Sequence, residues 1–460
     1  MDINVIKKLI KKYEIGHTRF IQKASEGQRY YEGDTDILYK KNIEEETDNP
    51  LRNADNRIPT NYQGLLVDQK ASYLLAVPPQ FDTDDTETNK KILKVLGDSF
   101  GKACKDLCIE ASNKGIAWLH VWKGEDNSFN YALVPAEQII PIFSNDLNKK
   151  VIAVFRTYSQ IDEETGDNYI IYEYWNDKEC YAYRRKEDIN IDNGLQEYYM
   201  FTSRIVDEGI NTESNVFKHD FGEVPFIPFY NNNIRTNDLK RVKKFIDVYD
   251  KVFSGFVNDL DDIQEVIFVL TNYGGEDLKT FLSKLKQNKV VDMQSDGVDD
   301  KTALDTIKVE IPVEARKEVL EICEKQIFKQ GQGVNPNPQE FGQASGVALQ
   351  YLYSLLELKA GLTETEFRLG FSKLIRMILN YLNIKADNIK QIWTRNGIRD
   401  DSELIDNLSK SKGLIPDEEI IRNHPLIDDP EKAIEEFKKQ QQETSIDFDN
   451  VPTGGGADAE

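Results

Sequence analysis

Apolar residues in this chain recur with a helical period towards both ends and with a period of two between them. Ile3, Ile6, Leu9 and Ile10 form one stripe, and residues 3–77 read as helices. The last of these, within 56–79, carries Leu65, Leu66, Tyr73, Leu74 and Val77. It stops at Pro78 and Pro79, since proline clashes with the preceding turn and lacks a donor. The acidic run 82–87 begins like a calcium loop. Glu87 stands where that loop needs glycine and Leu93 where it needs glutamate, so the run predicts a capping turn before a helical segment 88–114. From Ile116 to about Tyr230 the period is two, in WLHVW, YALVP, VIAVFRTY, NYIIYEYW, ECYAYRR and EYYMFTS. This predicts a mostly antiparallel β region whose last segment, with Pro225 and Pro228, is an edge or extended. Its aromatic stripes suit base stacking, but alternation already accounts for them as sheet packing.

The helical period returns at 238–264. Val242, Phe245, Ile246, Tyr249, Val252, Phe253, Phe256, Val257, Leu260 and Ile263 keep to one face over about 40 Å. Lys240, Arg241, Lys243 and Lys244 open this helix and Asp259, Asp261 and Asp262 close it, an order that opposes the helix macrodipole. Charges so placed serve a partner or merely a solvated face. Residues 265–311 read as a small α/β insert with strands VIFVLTN, KVVDM and ALDTIKVEI. Pro312 suits the first turn of the following helix, 309–329, which turns Val319, Leu320, Cys323 and Ile327 inward. Next comes 331–345, GQGVNPNPQEFGQAS, whose only charge is Glu340. Connections between packed helices usually run about 2–8 residues, so this one is long. Its glycines and prolines break both neighbouring helices, and its amides bond in any direction without carrying charge. The helix 345–382 that follows has Ala348, Leu352, Leu355, Phe367, Phe371, Leu374, Ile378 and Leu382 along one stripe. Gly361 and Gly370 predict a bend, and Thr363 with Glu366 a capped restart. A short strand, IKQIWTRN, two polar helices and an acidic, glycine-rich tail expected to be disordered complete the chain.

Composition narrows the function. The 460 residues exceed one core and suggest two to four domains. No apolar run approaches the ~20 residues that span a bilayer, and the amphipathic N-terminus does not read as a signal peptide, so a cytoplasmic site of assembly without membrane is expected. Four cysteines do not make a disulfide framework; Cys104 and Cys108 read as ordinary buried thiols. A net charge of −22 argues against gripping nucleic acid over the whole surface, yet suits DNA that slides past, because an acidic wall removes sticking points. There is no GxxxxGK[ST], GxSxG or HExxH, and His17, His120, His219 and His424 are scattered. No catalytic, cofactor-binding or metal-ligating set is expected.

Five stretches, NRIPTNYQGLLVDQKASYLLAVPP, LVPAEQIIPIF, FGEVPFIPFYNN, TNYGGEDLKTFLSKLKQNKVV running on to IKVEIPVEAR, and ASGVALQYLYSLLELKA, resemble the tailed-bacteriophage portal proteins, in the group related to the portal of Bacillus phage SPP1. They lie in the family's order from residue 56 to 360. The resemblance implies an α+β, multidomain portal fold with long stem helices, a β-rich wing, a small α/β clip and a helical crown. By position, 1–235 is the wing, 236–264 and 309–330 the stem helices, 265–308 the clip and 331–345 the tunnel loop. Residues 346–399 are a long bent helix returning to the wing, 400–445 the crown and 446–460 a disordered acidic tail.

The resemblance further implies a ring, usually of twelve copies, at the capsid vertex of the virion, assembled in the host cytoplasm. Double-stranded DNA passes through it without sequence preference. The implied partners are the terminase large subunit, which hydrolyses the ATP, then a head–tail adaptor protein, and the major capsid and scaffolding proteins. Lys329, Gln330, Gln332, Asn335, Asn337 and Gln339 become candidate channel residues, and Lys240, Arg241, Lys243 and Lys244 candidate stem charges. The loop itself has no lysine or arginine, which favours a steric role over a firm grip. The alternative is an acidic multidomain enzyme or assembly scaffold without a DNA channel.

Overall fold

The structure is a computed structural model that describes residues 1–40, 54–205, 210–262, 267–271, 277, 279–280, 303–307, 312–336, 346–397, 401–427 and 430–448. Two compact units divide the chain, one of residues 1–335 with 355–396 and one of 336–354 with 397–460.

The first unit opens with α1 (Ile3–Tyr31), capped by Asp2, whose carboxylate accepts from the Asn4 amide. Helix α2 (Tyr62–Leu75) follows, capped by Asn61. The acidic run is a cap, as its residues predict: Asp85 accepts from the amides of Glu87 and Thr88 at the start of α3 (Thr86–Leu96). Gly97, at φ +65°, ends that helix, so the expected single segment is two, with α4 at Phe100–Lys114.

The period-two region is antiparallel sheet. Strands β2 (Ile116–Lys123), β3 (Phe129–Val134) and β12 (Phe226–Tyr230) form one sheet, with β12 at its edge where Pro228 costs no ladder bond. A larger sheet runs β11 (Val216–Lys218), β7 (Glu179–Lys186), β6 (Asn168–Trp175), β5 (Val151–Ile161), β4 (Ile139–Phe143), with β8 (Gln196–Glu197) also on β7. Ile6 and Ile10 of α1 pack on Phe155, Tyr172 and Tyr183 of this sheet. Trp118, Val154, Trp175 and Phe226 fill a second cluster across the two sheets. These buried aromatics are therefore core, each worth roughly 1.5–3 kcal/mol of burial, while Trp122 and Tyr199 stay exposed. Even Glu173 is 2% exposed, held by Arg156, by the Tyr158 hydroxyl at 2.9 Å and by Trp175 Nε1 at 2.9 Å. After the short helix α5 (Ile191–Gly194), β9 (Phe201–Ile205) and β10 (Ile210–Ser214) make a separate hairpin.

Helices α6 (Leu239–Asp262) and α7 (Val313–Gly331) form an antiparallel pair. Asp259 near the end of α6 accepts from Arg316 near the start of α7, while Arg241 at the start of α6 donates to Gln332 beyond the end of α7. Val242 and Ile246 of α6 meet Ile327 and Phe328 of α7, with Tyr30 and Leu66, in a third cluster. The rest of the α6 stripe is only half-buried, and Leu260 and Val319 are exposed where an inward position was expected. From the insert, β13 (Ile267–Thr271) and β14 (Ala303–Ile307) are described as an antiparallel pair; the expected KVVDM strand lies outside the described residues, as does nearly all of the expected short helix.

An extended segment crosses the polar side of α6. The amides of Asn56, Ile58 and Thr60 donate to Asn258 Oδ1 (2.6 Å), Ser254 Oγ (3.0 Å) and Asp250 Oδ1 (3.0 Å). Asp250 also accepts from the hydroxyls of Thr35 and Thr60, and burial raises its carboxyl above the usual range against those bonds.

The long helix α8 (Gly346–Tyr381) runs without interruption, contrary to the expected capped restart. Thr363 is buried inside it, donating to Asn231 O at 2.9 Å and back to Lys359 O. Gly370 permits close packing: a Cβ there would lie 2.5 Å from Phe229 Cε1. The buried stripe passes through Leu356, Ala360, Phe367, Phe371 and Leu374, and Leu355, placed on it by periodicity, is exposed. Phe371 meets Phe81, Phe100, Phe229, Phe367 and Trp393 at ring distances of 5.0–6.1 Å. The chain then returns as β15 (Lys390–Ile392), paired with β1 (Gln80–Asp82).

In the second unit, α9 (Asp401–Lys410) is followed by α10 (Asp417–Arg422) and α11 (Pro430–Phe448), the last two bridged by Lys438 and Glu418 at 2.9 Å.

Candidate nucleic-acid interface

Helix α7 continues two residues past its expected end, to Gly331, and the chain then turns at Gln332 in the left-handed region. Lys329 and Gln330 are exposed on the last turn, where the lysine suits the negative end of the helix dipole. Among the described residues, Gln330 bonds Gln326 of its own helix, at 3.4 Å. Gln332 Oε1 accepts from Arg241, and Asn335 lies 3.5 Å from Glu324. Asn337 and Gln339 lie outside the described residues.

The basic start of α6 separates into two groups. Lys240, Arg241 and Lys244 are exposed. Lys243 turns inward under the ring of Tyr30, bound to Asp36 at 2.5 Å and Asp247 at 3.0 Å. Burial works against its charge, but those carboxylates raise its pKa above the lysine range. Lys243 is thus occupied within its own chain, while Arg241 is brought beside the 331–335 stretch. The result is a small exposed group of donors at one end of the helix pair: ammonium, guanidinium and amide groups that can meet phosphate oxygens without reading bases. At the other end, Asp259 and Asp261 are held by Arg316 and by Asn56 at 2.6 Å.

Beneath these donors lies a set of residues that sequence reasoning missed. Lys70 of α2 is fully buried, donating to Asn231 Oδ1 at 2.6 Å and Asp238 Oδ2 at 2.9 Å. Lys359 of α8 donates to the same Asp238 oxygen at 3.0 Å and to Gly331 O, in the last turn of α7, at 2.9 Å. Burial alone would raise the Asp238 carboxyl, but the two ammonium groups outweigh it and hold the pKa far below the usual range. Burial pushes Lys359 down, against the pull of Asp238. A signal was present: Lys70 interrupts LLVDQKASYLL and Lys359 adjoins the buried stripe of its helix, both positions where a lysine needs a partner. Among the described residues, no group of three histidine, cysteine or acidic side chains is placed to hold a metal ion.

Comparison with known proteins gives the class first. Residues 10–447 match the family described as phage portal protein, SPP1 Gp6-like, whose members are structural assembly components of the virion at the capsid vertex. The portal protein of Clostridium phage phiCD119 is 42% identical over 448 residues, covering 93% of this chain and 96% of its own length. That of Bacillus phage SPP1 is 28% identical over 480 residues, covering 99% and 90%. The chain belongs to the SPP1 Gp6-like portal family, and its α+β architecture is a portal fold. A solved structure, the neck of a native GTA particle computed with C12 symmetry, is similar at a TM-score of 0.45 and 11% identity, over 86% of this chain and 94% of its own. No helix among the described residues is long and apolar enough to cross a membrane.

Proposed function

We propose that about twelve copies of this chain close into a ring at one capsid vertex, through which double-stranded DNA is packaged and later ejected. Residues 1–235 form the wing, 236–264 and 309–330 the stem, 265–308 the clip and 331–345 the tunnel loop. Residues 346–399 return to the wing, 400–445 form the crown, and 446–460 are its tail. The ring docks the terminase large subunit during packaging and a head–tail adaptor protein afterwards, and assembles in the host cytoplasm with scaffolding and major capsid proteins. ATP is hydrolysed by the terminase.

The observation that supports this reading best is the grouping of Lys240, Arg241, Lys244, Lys329, Gln330 and Gln332 where the 331–345 stretch leaves its helix. These few donors, all exposed except the half-buried Gln332, stand on a chain of net charge −22, or about −264 for twelve copies. Such a surface touches a moving polyanion without holding it, and it releases few counterions. No observation favours the enzyme or channel-free scaffold.

Negative-stain images of the purified protein, alone and co-expressed with its scaffold, test the proposal. Toroids with a central hole are expected. A monomer under both conditions overturns it.

A further inference from the structure

Helix α7 ends in a stop built against local backbone preference. The residue in the left-handed region is Gln332, at φ 55° and ψ 42°, although glycines stand on both sides of it. Those glycines serve another purpose. A Cβ on Gly331 would lie 2.5 Å from Leu66 Cδ1, and one on Gly333 would lie 2.2 Å from Leu66 Cδ2. Both are pressed onto α2, and the disfavoured conformation falls on the side chain between them.

Side chains from three elements hold the stop in place. Gln69 of α2 binds Val334 twice, donating to its carbonyl at 2.7 Å and accepting from its amide at 3.0 Å, as a neighbouring strand would. Lys359 of α8 holds the Gly331 carbonyl, and Arg241 of α6 holds the Gln332 side chain. The buried charges need explaining, because an apolar group of similar size is often as stabilising as a buried ion pair. Two lysines sharing one carboxylate are costlier still. What they supply is direction: Lys359 can satisfy its ammonium only if the end of α7 and the start of α6 both stand where they do.

We propose that Gln69 and Lys359 are positioning residues that fix where the chain departs from α7, pinning Val334 to α2 and the Gly331 carbonyl to α8. A strained stop persists only when its surroundings over-determine it, and here two donor–acceptor sets and a packed leucine do so. The geometry stands without the portal reading. Its consequence for DNA rests on that reading, since the pinned point lies within the run of candidate channel residues.

The test is hydrogen exchange on the full-length protein, followed by mass spectrometry of peptides covering 329–336. Gln69→Met and Lys359→Met keep side-chain length and remove the bonds. Each is expected to speed exchange at Gly333 and Val334 at least tenfold, with other α2 and α8 peptides unchanged. Unchanged exchange at 333–334 in the methionine variants overturns the proposal, as does faster exchange spread evenly over α6, α7 and α8. If Lys359→Met does not fold, Gln69→Met decides the matter alone. In phage, Gln69→Met should form rings and fill heads yet lose packaged DNA at least several-fold faster. Faster local exchange with wild-type DNA retention overturns the consequence drawn for DNA. Absence of rings in the unmutated protein would instead count against the portal reading and leave the exchange result standing.

Discussion

Asp238 shows how much one residue decides in this chain. Among the described residues it is the sole carboxylate bonded to the buried ammonium groups of Lys70 and Lys359, and Asn231 Nδ2 donates to its other oxygen at 2.7 Å. Removing it strands two buried cations, so Asp238→Ala should cost about 3–5 kcal/mol, read as a lower denaturation midpoint. Its pKa is lowered on folding, so the unfolded chain binds the proton more readily. The stabilisation is therefore complete above the unfolded value of about 3.9 and is lost as pH falls below it. A denaturation series from pH 7 to pH 2 should show a steeper acid limb for the natural protein than for Asp238→Asn. Parallel curves would remove Asp238 from the account. The lysines were visible in the sequence as polar residues on apolar faces, but Asp238 lies 168 residues from Lys70, and no periodicity connects them.

At the scale of elements, periodicity recovered what repeats and missed what does not. The helices α6, α7 and α8 and the antiparallel sheets followed from patterns of i, i+3, i+4 and of two. The start of α2 at Tyr62, rather than earlier, did not, because the segment before it is extended and bound by polar residues of α6. Asp250, Ser254 and Asn258 recur along one helix face as regularly as an apolar stripe does, but polar residues on a helix read as solvated. Here they take up backbone amides. Ser254→Ala with Asn258→Ala should cost about 1 kcal/mol per lost bond and speed amide exchange at Asn56 and Ile58 while sparing the sheets. Unaltered exchange at those amides would show that the ladder does not hold the segment. Gly331 and Gly333 were likewise read as helix breakers, when their main service is close approach to Leu66.

For the whole molecule, the sequence spoke more clearly about kind than about contacts. Five spread stretches carried the resemblance to the portal family, charge and the missing catalytic motifs agreed with it, and the match over residues 10–447 shows membership. For the candidate site the sequence listed Arg241 and Gln332 in separate groups; that the two meet, and that Lys243 is occupied by Asp36 and Asp247, no spacing could show. Because Gly333 and Val334 are packed on α2, two deletions should behave differently. Removal of 336–341 should leave ring assembly intact and impair packaging or DNA retention. Removal of 333–341 should also lower the unfolding midpoint, since it takes away the Gln69 contacts and the covering of Leu66. Equal midpoints for the two deletions, by calorimetry, would contradict the packing described.

The three amides held along α6 also obey a vernier. Four helical residues advance about 6.0 Å and overshoot a full turn by about 40°, while two extended residues advance about 6.6 Å. Successive rungs therefore slip out of phase, in rotation more than in height. The middle rung uses the short side chain of Ser254, and the outer two use Asp250 and Asn258, whose oxygens reach one bond further back towards the segment. The next position on one side, Ile246, has already rotated into the core. On that side the pairing therefore ends at Asp250, and only one register gives these three bonds. Residues inserted before position 54 can lengthen the approach without shifting the segment along its helix.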